Sequence, residues 1–338
     1  MADIAARANH FWRDSSGEKR DVLLSLAALI GIILLAIIIS PTAFDGTRIF
    51  LEFGNLTDVL RQVAIVGIIS LAMTFVILTG GIDLSVGSIL ALSTSTVAMI
   101  LTRWHGGWGY PASIAAAIAA TVAIATLAGT VEGAVIAAFD VQPFIVTLAG
   151  MIGIRGLAKW LSNNANTDIG FGTDTASVFA EIFRGKAITI ACYAGLAILL
   201  WLLLSRTVFG RHVRAIGDNE RAARYAGLPI RRVKAIVYSL SGMLSGVAGV
   251  LYAAENHQGN PNSGVAYELD AIAAVVIGGT RLSGGRGSIP GTIIGTLMIG
   301  VLTNMLRLNN VDSNVEMMVK AVIIVLAVAV QKHGRIAA

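Results

Sequence analysis

Charge is scarce in this chain. Of its 338 residues, 13% are charged and 55% are hydrophobic, where soluble domains carry about a quarter charged residues. That shortage excludes a soluble globular protein. Cysteine is scarcer still: Cys192 stands alone, which rules out an internal disulfide, and no metal-ligand spacing surrounds it. It reads as a small core or lipid-facing residue. Segments of about ten residues with alternating polarity are missing, which argues against a membrane barrel. Also missing are G-x4-G-K-[ST], HExxH, GxSxG and CxxC, so the chain is expected to bind no nucleotide, hold no cofactor and catalyse nothing. Uphill work would need an ion gradient or a separate ATPase.

What the chain does have is length in apolar runs. VLLSLAALIGIILLAIIIS (22–40), AITIACYAGLAILLWLLLS (187–205) and AIVYSLSGMLSGVAGVLYAA (235–254) each suffice to cross a bilayer. The pattern predicts an all-α integral membrane protein with about ten spans: 22–40, 60–79, 84–102, 112–138, 143–161, 187–205, 235–254, 269–279, 288–307 and 316–331. The eighth is too short to cross alone and reads as a broken or re-entrant helix. The first 21 residues mix basic and acidic side chains, and 22–40 reads as a retained first span rather than a signal sequence.

The net charge of +5 is not a nucleic-acid signal, because the basic residues concentrate in 206–234 and in the tails. Segment 206–234 holds Arg206, Arg211, Arg214, Arg221, Arg224, Arg231, Arg232 and Lys234 against Asp218 and Glu220. The positive-inside rule places it in the cytoplasm. Six spans precede it and four follow, so both termini are expected there too. The expected organisation is a cytoplasmic segment 1–21, a transmembrane unit 22–331 and a cytoplasmic tail 332–338, with 162–186 and 255–268 as outward loops.

Within the spans, Asp83 is the sole charged side chain between Gln62 and Leu101. It stands in LTGGIDLSVGSI (78–89). A charge at the bilayer centre costs about 2.5–3.5 kcal/mol on insertion scales. Gly80 and Gly81 break the helix, and Asp83 or Ser85 can cap the helix that follows. The segment therefore reads as a helix break with its own cap, and as a gate or hinge beside a polar path. GGTRLSGGRGSI (278–289) echoes GGIDLSVGSI (80–89) with two residues inserted, so Gly278 and Gly279 join the same group. Glu132 lies deep in an apolar segment and needs an internal partner. Gly242, Gly246 and Gly249 share nearly one face, as do Gly291, Gly295 and Gly300 less strictly; they suit close helix packing within the chain or a dimer seam.

In the basic loop, Asp218 suits an N-cap, ERAARYA favours helix, Gly227 suits the position after the helix and Pro229 stops it. This predicts a helix over 219–226. A helix that short is marginal alone, so it must rest on the protein's own surface, on anionic headgroups or in a groove of a partner.

Four stretches, ILTGGIDLSVGSILAL (77–92), GRHVRAIGDNERAARYAGLP (210–229), YELDAIAAVVIGGTRLSGGRGS (267–288) and VKAVIIVLAV (319–328), together resemble the ribose-type permease family. These are inner-membrane subunits of bacterial binding-protein-dependent ABC importers for monosaccharides. The resemblance spans about 55 to 330, with the motifs in the family's order. It implies a second permease subunit, identical or related, an ABC ATPase below and a periplasmic sugar-binding protein above. By that likeness Asp218, Asn219, Glu220, Arg221, Ala222, Ala223, Arg224, Tyr225 and Gly227 form the ATPase-coupling helix. Arg221 and Arg224 would meet acidic groups of the ATPase, while Ala222, Ala223 and Tyr225 would pack.

Asp83 and Asp270 fall in family motifs and are expected to act as structural or gating groups. Asp168, Asp174, Glu181, Glu255 and Glu268 are expected to face the binding protein, and Thr303 and Asn304 to line the path. A pentose or hexose is implied, ribose first. Two other readings remain at this point: an ion-coupled secondary transporter working through Glu132 and Asp83, and a membrane scaffold without flux.

Overall fold

The computed structural model describes residues 22–43, 46–103, 109–170, 172 and 174–333. The segment 1–21 and the end of the tail lie outside the described residues. Thirteen α-helices follow one another: α1 (Val22–Ile39), α2 (Phe53–Leu78), α3 (Val86–Arg103), α4 (Tyr110–Phe139), α5 (Pro143–Leu161), α6 (Thr175–Phe183), α7 (Lys186–Arg206), α8 (Val208–Asp218), α9 (Glu220–Tyr225), α10 (Ile230–Asn256), α11 (Tyr267–Ile277), α12 (Ile289–Leu308) and α13 (Ser313–His333). Eight of them (α1 to α5, α7, α10 and α12) are long and apolar enough to cross a bilayer. Helix α11, with 11 residues, reaches about 16 Å at 1.5 Å per residue, roughly half the hydrocarbon thickness.

Helix α2 is the axis of the fold. From Val63 to Leu78 nearly every side chain is buried, because α7, α10, α11 and α12 surround it. A helix apolar all round belongs in such a place. Helix α3 packs against α10, α4 and α5. Helix α1 keeps Leu23, Leu24, Ile30, Leu34 and Ile38 exposed, which suits lipid.

The glycine faces are used inside the chain. A Cβ on Gly242 would fall 2.4 Å from the Ala125 carbonyl and 3.0 Å from the Gly129 Cα, and one on Gly249 2.7 Å from the Leu90 carbonyl. Gly295 meets Ala274 of α11 and Gly291 meets Gly278 just past its end in the same way, and Gly300 meets Val63. The dimer-seam reading of these faces is therefore corrected: both stripes let helices of one chain approach without a hydrophobic effect to drive them.

Two segments expected as plain loops are built. In 162–186, Asp174 caps α6 by accepting the Ser177 amide at 2.9 Å, and Thr167–Asp168 pairs antiparallel with Gln258–Gly259. Segment 255–268 does not project outward along its whole length. It runs back along α3: Thr94 Oγ1 donates to the Asn260 carbonyl at 3.0 Å, and a Cβ on Gly87 would meet the Gly264 carbonyl and the Glu268 carboxylate. Irregular backbone survives at such depth only inside protein, and Arg155 of α5 supports it by donating to the carbonyls of Pro261 and Ser263.

Overpacking a tight crossing costs about 1–3 kcal/mol. Gly242→Val should therefore lower the thermal unfolding temperature in detergent, whereas Gly153→Val, at a position with nothing within 4 Å of an added Cβ, should leave it unchanged.

Candidate functional site at two joined helix breaks

The first break follows α2. The Gly80 amide donates to the Ile77 carbonyl at 2.9 Å and the Gly81 amide to the Val76 carbonyl at 3.1 Å, with Gly80 at φ +78°. The second follows α11. The Gly279 amide donates to the Val276 carbonyl at 2.9 Å and the Thr280 amide to the Val275 carbonyl at 3.1 Å, with Gly279 at φ +92°. Both are Schellman terminations, in which a left-handed glycine turns the chain and satisfies the last carbonyls. The repeat read from 80–89 and 278–289 is thus a repeat of backbone geometry, offset by one residue from the sequence match.

The two breaks touch. The Gly285 amide donates to the Leu78 carbonyl at 3.0 Å, and a Cβ on Gly284 would sit 3.0 Å from the Gly80 nitrogen. The end of α8 completes the junction. A Cβ on Gly217 would lie 1.7 Å from the Leu78 carbonyl oxygen and 2.5 Å from the Gly285 nitrogen. Backbone meets backbone here, so the basic segment is seated directly on both breaks.

Beyond the first break the chain enters α3. Asp83 is fully buried. Its Oδ1 accepts the Ser85 amide at 2.9 Å and the Ser85 hydroxyl at 2.7 Å, and its Oδ2 accepts the Ser241 hydroxyl at 2.6 Å. The expected cap takes a different form: the carboxylate holds Ser85, the residue just before α3, rather than an amide of the first turn. Glu132 finds its partner here, with Oε2 2.8 Å from the Ser85 hydroxyl. Tyr238 stands beside this group, its hydroxyl 2.3 Å from where a Gly81 Cβ would be. Ser241 and Tyr238 were not foreseen from sequence, because their approach depends on the crossing of α10.

At the second break, Ser288 caps α12 by accepting the Gly291 amide at 3.2 Å. Asp270 of α11 pairs with Lys320 at 3.0 Å, and Lys320 also pairs with Glu316, itself 3.3 Å from Arg307. Asp270 therefore ties α11 to α13 rather than lying beside Asp83. Thr303 is buried, and Asn304 exchanges amide hydrogen bonds with Asn55 at 2.8 and 3.2 Å. These two sit near the start of α2, away from the breaks.

The basic segment holds two helices. Helix α8 was missed because Arg211, His212 and Arg214 interrupt its composition; its buried face is Gly210, Val213 and Ile216. Asp218 ends α8, and the cap of α9 is Asn219, whose side chain accepts the Ala222 amide at 3.0 Å. Asn219 is extended, at φ −158°, and so closes one helix and opens the next. Helix α9 is six residues long, and Gly227 at φ +76° terminates it as expected. Glu220 pairs with Lys234 at 2.8 Å and with Arg224 at 3.2 Å. Ala223 is buried inward against the chain, while Arg221, Ala222, Arg224 and Tyr225 face out, Tyr225 at 93% exposure.

Of the acidic residues at the opposite end, Asp168, Asp174 and Glu181 are exposed. Glu255 is taken by Arg61 at 3.2 Å, and Glu268 is packed against α3.

An all-helical bundle with eight helices long and apolar enough to cross a bilayer fits an integral membrane protein. Residues 55–328 match the family model described as branched-chain amino acid transport system / permease component, and the chain belongs to that family. It is 44% identical to the ribose import permease protein of Bacillus subtilis, over 92% of this chain and 94% of that one. It is 40% identical to the ribose import permease protein of Escherichia coli K12, over 90% and 92%. It is 35% identical to the fructose import permease protein of Rhizobium meliloti, over 89% and 85%. The ribose-type resemblance is thereby borne out, and the chain is a multi-pass inner-membrane protein.

Because the contact at Gly217 is with backbone, Gly217→Ala should displace α8 from the breaks. The expected result is lower thermal stability and faster protease cleavage within 206–234, measured beside Gly195→Ala, where an added Cβ meets nothing.

Proposed function

We propose that this chain is the membrane-spanning permease subunit of an ABC importer for a monosaccharide, with ATP hydrolysed by a separate subunit. The observation that carries this is 44% identity with a ribose import permease across nearly the whole of both chains. Relatives named for ribose, fructose and L-arabinose support a pentose or hexose, with ribose first.

In this reading 206–234 lies in the cytoplasm together with both termini, 1–21 and 332–338, and 22–331 forms the transmembrane unit. The outward face of α9 (Arg221, Ala222, Arg224 and Tyr225) docks in a groove of the ATPase. Ala223 anchors that helix to its own chain. The end with the Thr167–Asp168 ribbon and α6 faces the periplasm, where Asp168, Asp174 and Glu181 meet the sugar-binding protein. A second permease subunit, identical or related, completes the path.

The mechanism follows from the junction. ATP binding closes the ATPase pair and moves α8 and α9. Because Gly217 abuts Leu78 and Gly285, that motion reaches the ends of α2 and α11 with little slack. Asp83 keeps the start of α3 tied to α10 through Ser241, so α3 and α10 turn as a unit. Gly80, Gly81, Ser85, Gly278 and Gly279 then form the hinge set, and Asp270 holds α11 to α13 during the turn. Thr303 and Asn304 serve packing near the outward end rather than sugar contact.

Two measurements test this. Labelled ribose should accumulate in proteoliposomes holding the chain with its ATPase and binding protein, and not in those holding the chain alone; accumulation by the chain alone under a proton or sodium gradient would establish the ion-coupled alternative. Arg221→Glu combined with Tyr225→Ala should weaken ATPase association by roughly 2 kcal/mol, the scale of an interface hot spot, or about thirtyfold. Membrane insertion and thermal stability should be unchanged, since both side chains are exposed.

A further inference from the structure

Ser85 has one hydroxyl hydrogen, yet its oxygen lies 2.7 Å from Asp83 Oδ1 and 2.8 Å from Glu132 Oε2. An ionised carboxylate is acceptor-only. Two ionised carboxylates cannot both accept from that single hydrogen, and the contact without it would set two lone pairs against each other. A second hydrogen must therefore reside in the chain of three side chains.

The surroundings decide where it sits. Asp83 has three donors: the Ser85 amide, the Ser85 hydroxyl and the Ser241 hydroxyl. That is a shell built for a full negative charge. Glu132 has no donor apart from the disputed one. It is 5% exposed, and its Oε1 has no hydrogen-bond partner. That oxygen points at α5, where a Cβ on Gly150 would fall 1.7 Å away. The Tyr238 hydroxyl, from α10, is likewise buried and without a partner. Among the described residues no Lys, Arg or His forms an ion pair with either acid. An unpaired buried charge costs several kcal/mol, whereas a neutral acid with one idle oxygen costs far less.

We infer that Glu132 is a proton-binding site: it remains a neutral acid in the folded chain, donating from Oε2 to Ser85, which donates in turn to an ionised Asp83. The array carries one negative charge, shared along Glu132–Ser85–Asp83, and links α4, α3 and α10. The proton is a fixed structural component and is not spent in the transport cycle.

Infrared spectroscopy of the full chain in lipid nanodiscs at neutral pH tests this. The wild type should show the carbonyl stretch of a protonated carboxylic acid, shifted in deuterated buffer. Glu132→Gln should lose that band yet fold with an unchanged thermal midpoint, since an amide N–H replaces the acid O–H toward Ser85. Asp83→Asn should retain the band and lose stability. The assignment is overturned if the wild type lacks the band, or if Glu132→Gln keeps it while Asp83→Asn removes it. It is also overturned if adding sodium ions erases the band, which would make the cluster a sodium site, or if Glu132→Gln fails to fold.

Discussion

Backbone polar groups freed at membrane depth must find partners inside the protein, and this constraint shapes the molecule. Ending α2 and α11 within the bundle exposes their last carbonyls. The chain meets the requirement twice with the same Schellman geometry and then joins the two endings through one bond, Gly285 amide to Leu78 carbonyl. Three glycines meet at the junction, because a side chain at Gly217, Gly284 or Gly285 would meet main chain at 3 Å or less. Small residues here are the condition for three backbone segments to share one place.

The same constraint explains the buried acid at the first break. Asp83 is costly in an apolar setting, but its three donors come from Ser85, at the entry to α3, and from Ser241 of α10, the helices that must stay together when the break flexes. Polar groups at depth act as clasps where lipid removes the hydrophobic effect as glue. Asp270, Lys320 and Glu316 clasp α11 to α13 in the same way. Permease function then follows from arrangement: a helical pair rests on the junction on one side, and irregular segments packed on α3 connect to the other.

Much of this is legible in sequence because it is local. The long apolar runs, the breaks at Gly80 and Gly279, the shortness of α11 and the termination of α9 at Gly227 all depend on nearby residues. What was hidden is tertiary. Residues 255–268 read as a polar outward loop, since nothing local reveals that Thr94 and Arg155 receive its carbonyls. Glu132 announced a need for a partner without naming it, because Ser85 lies 47 positions away in the chain. Asp218 and Asn219 are both good caps, and the packing of Ile216 carried α8 one residue further and left the role to Asn219.

The proposed coupling requires the α8 end and the two breaks to move as one body. Spin labels test it directly. One pair, at Asp218→Cys and Ser283→Cys in a Cys192→Ala background, reports within the junction; a second, at Asp218→Cys and Asp168→Cys, reports across the membrane. With ATPase bound and nucleotide cycled, the first distance should stay fixed while the second changes. A change in the first distance, with the second constant, would mean that α8 moves independently of the breaks and that no such coupling exists.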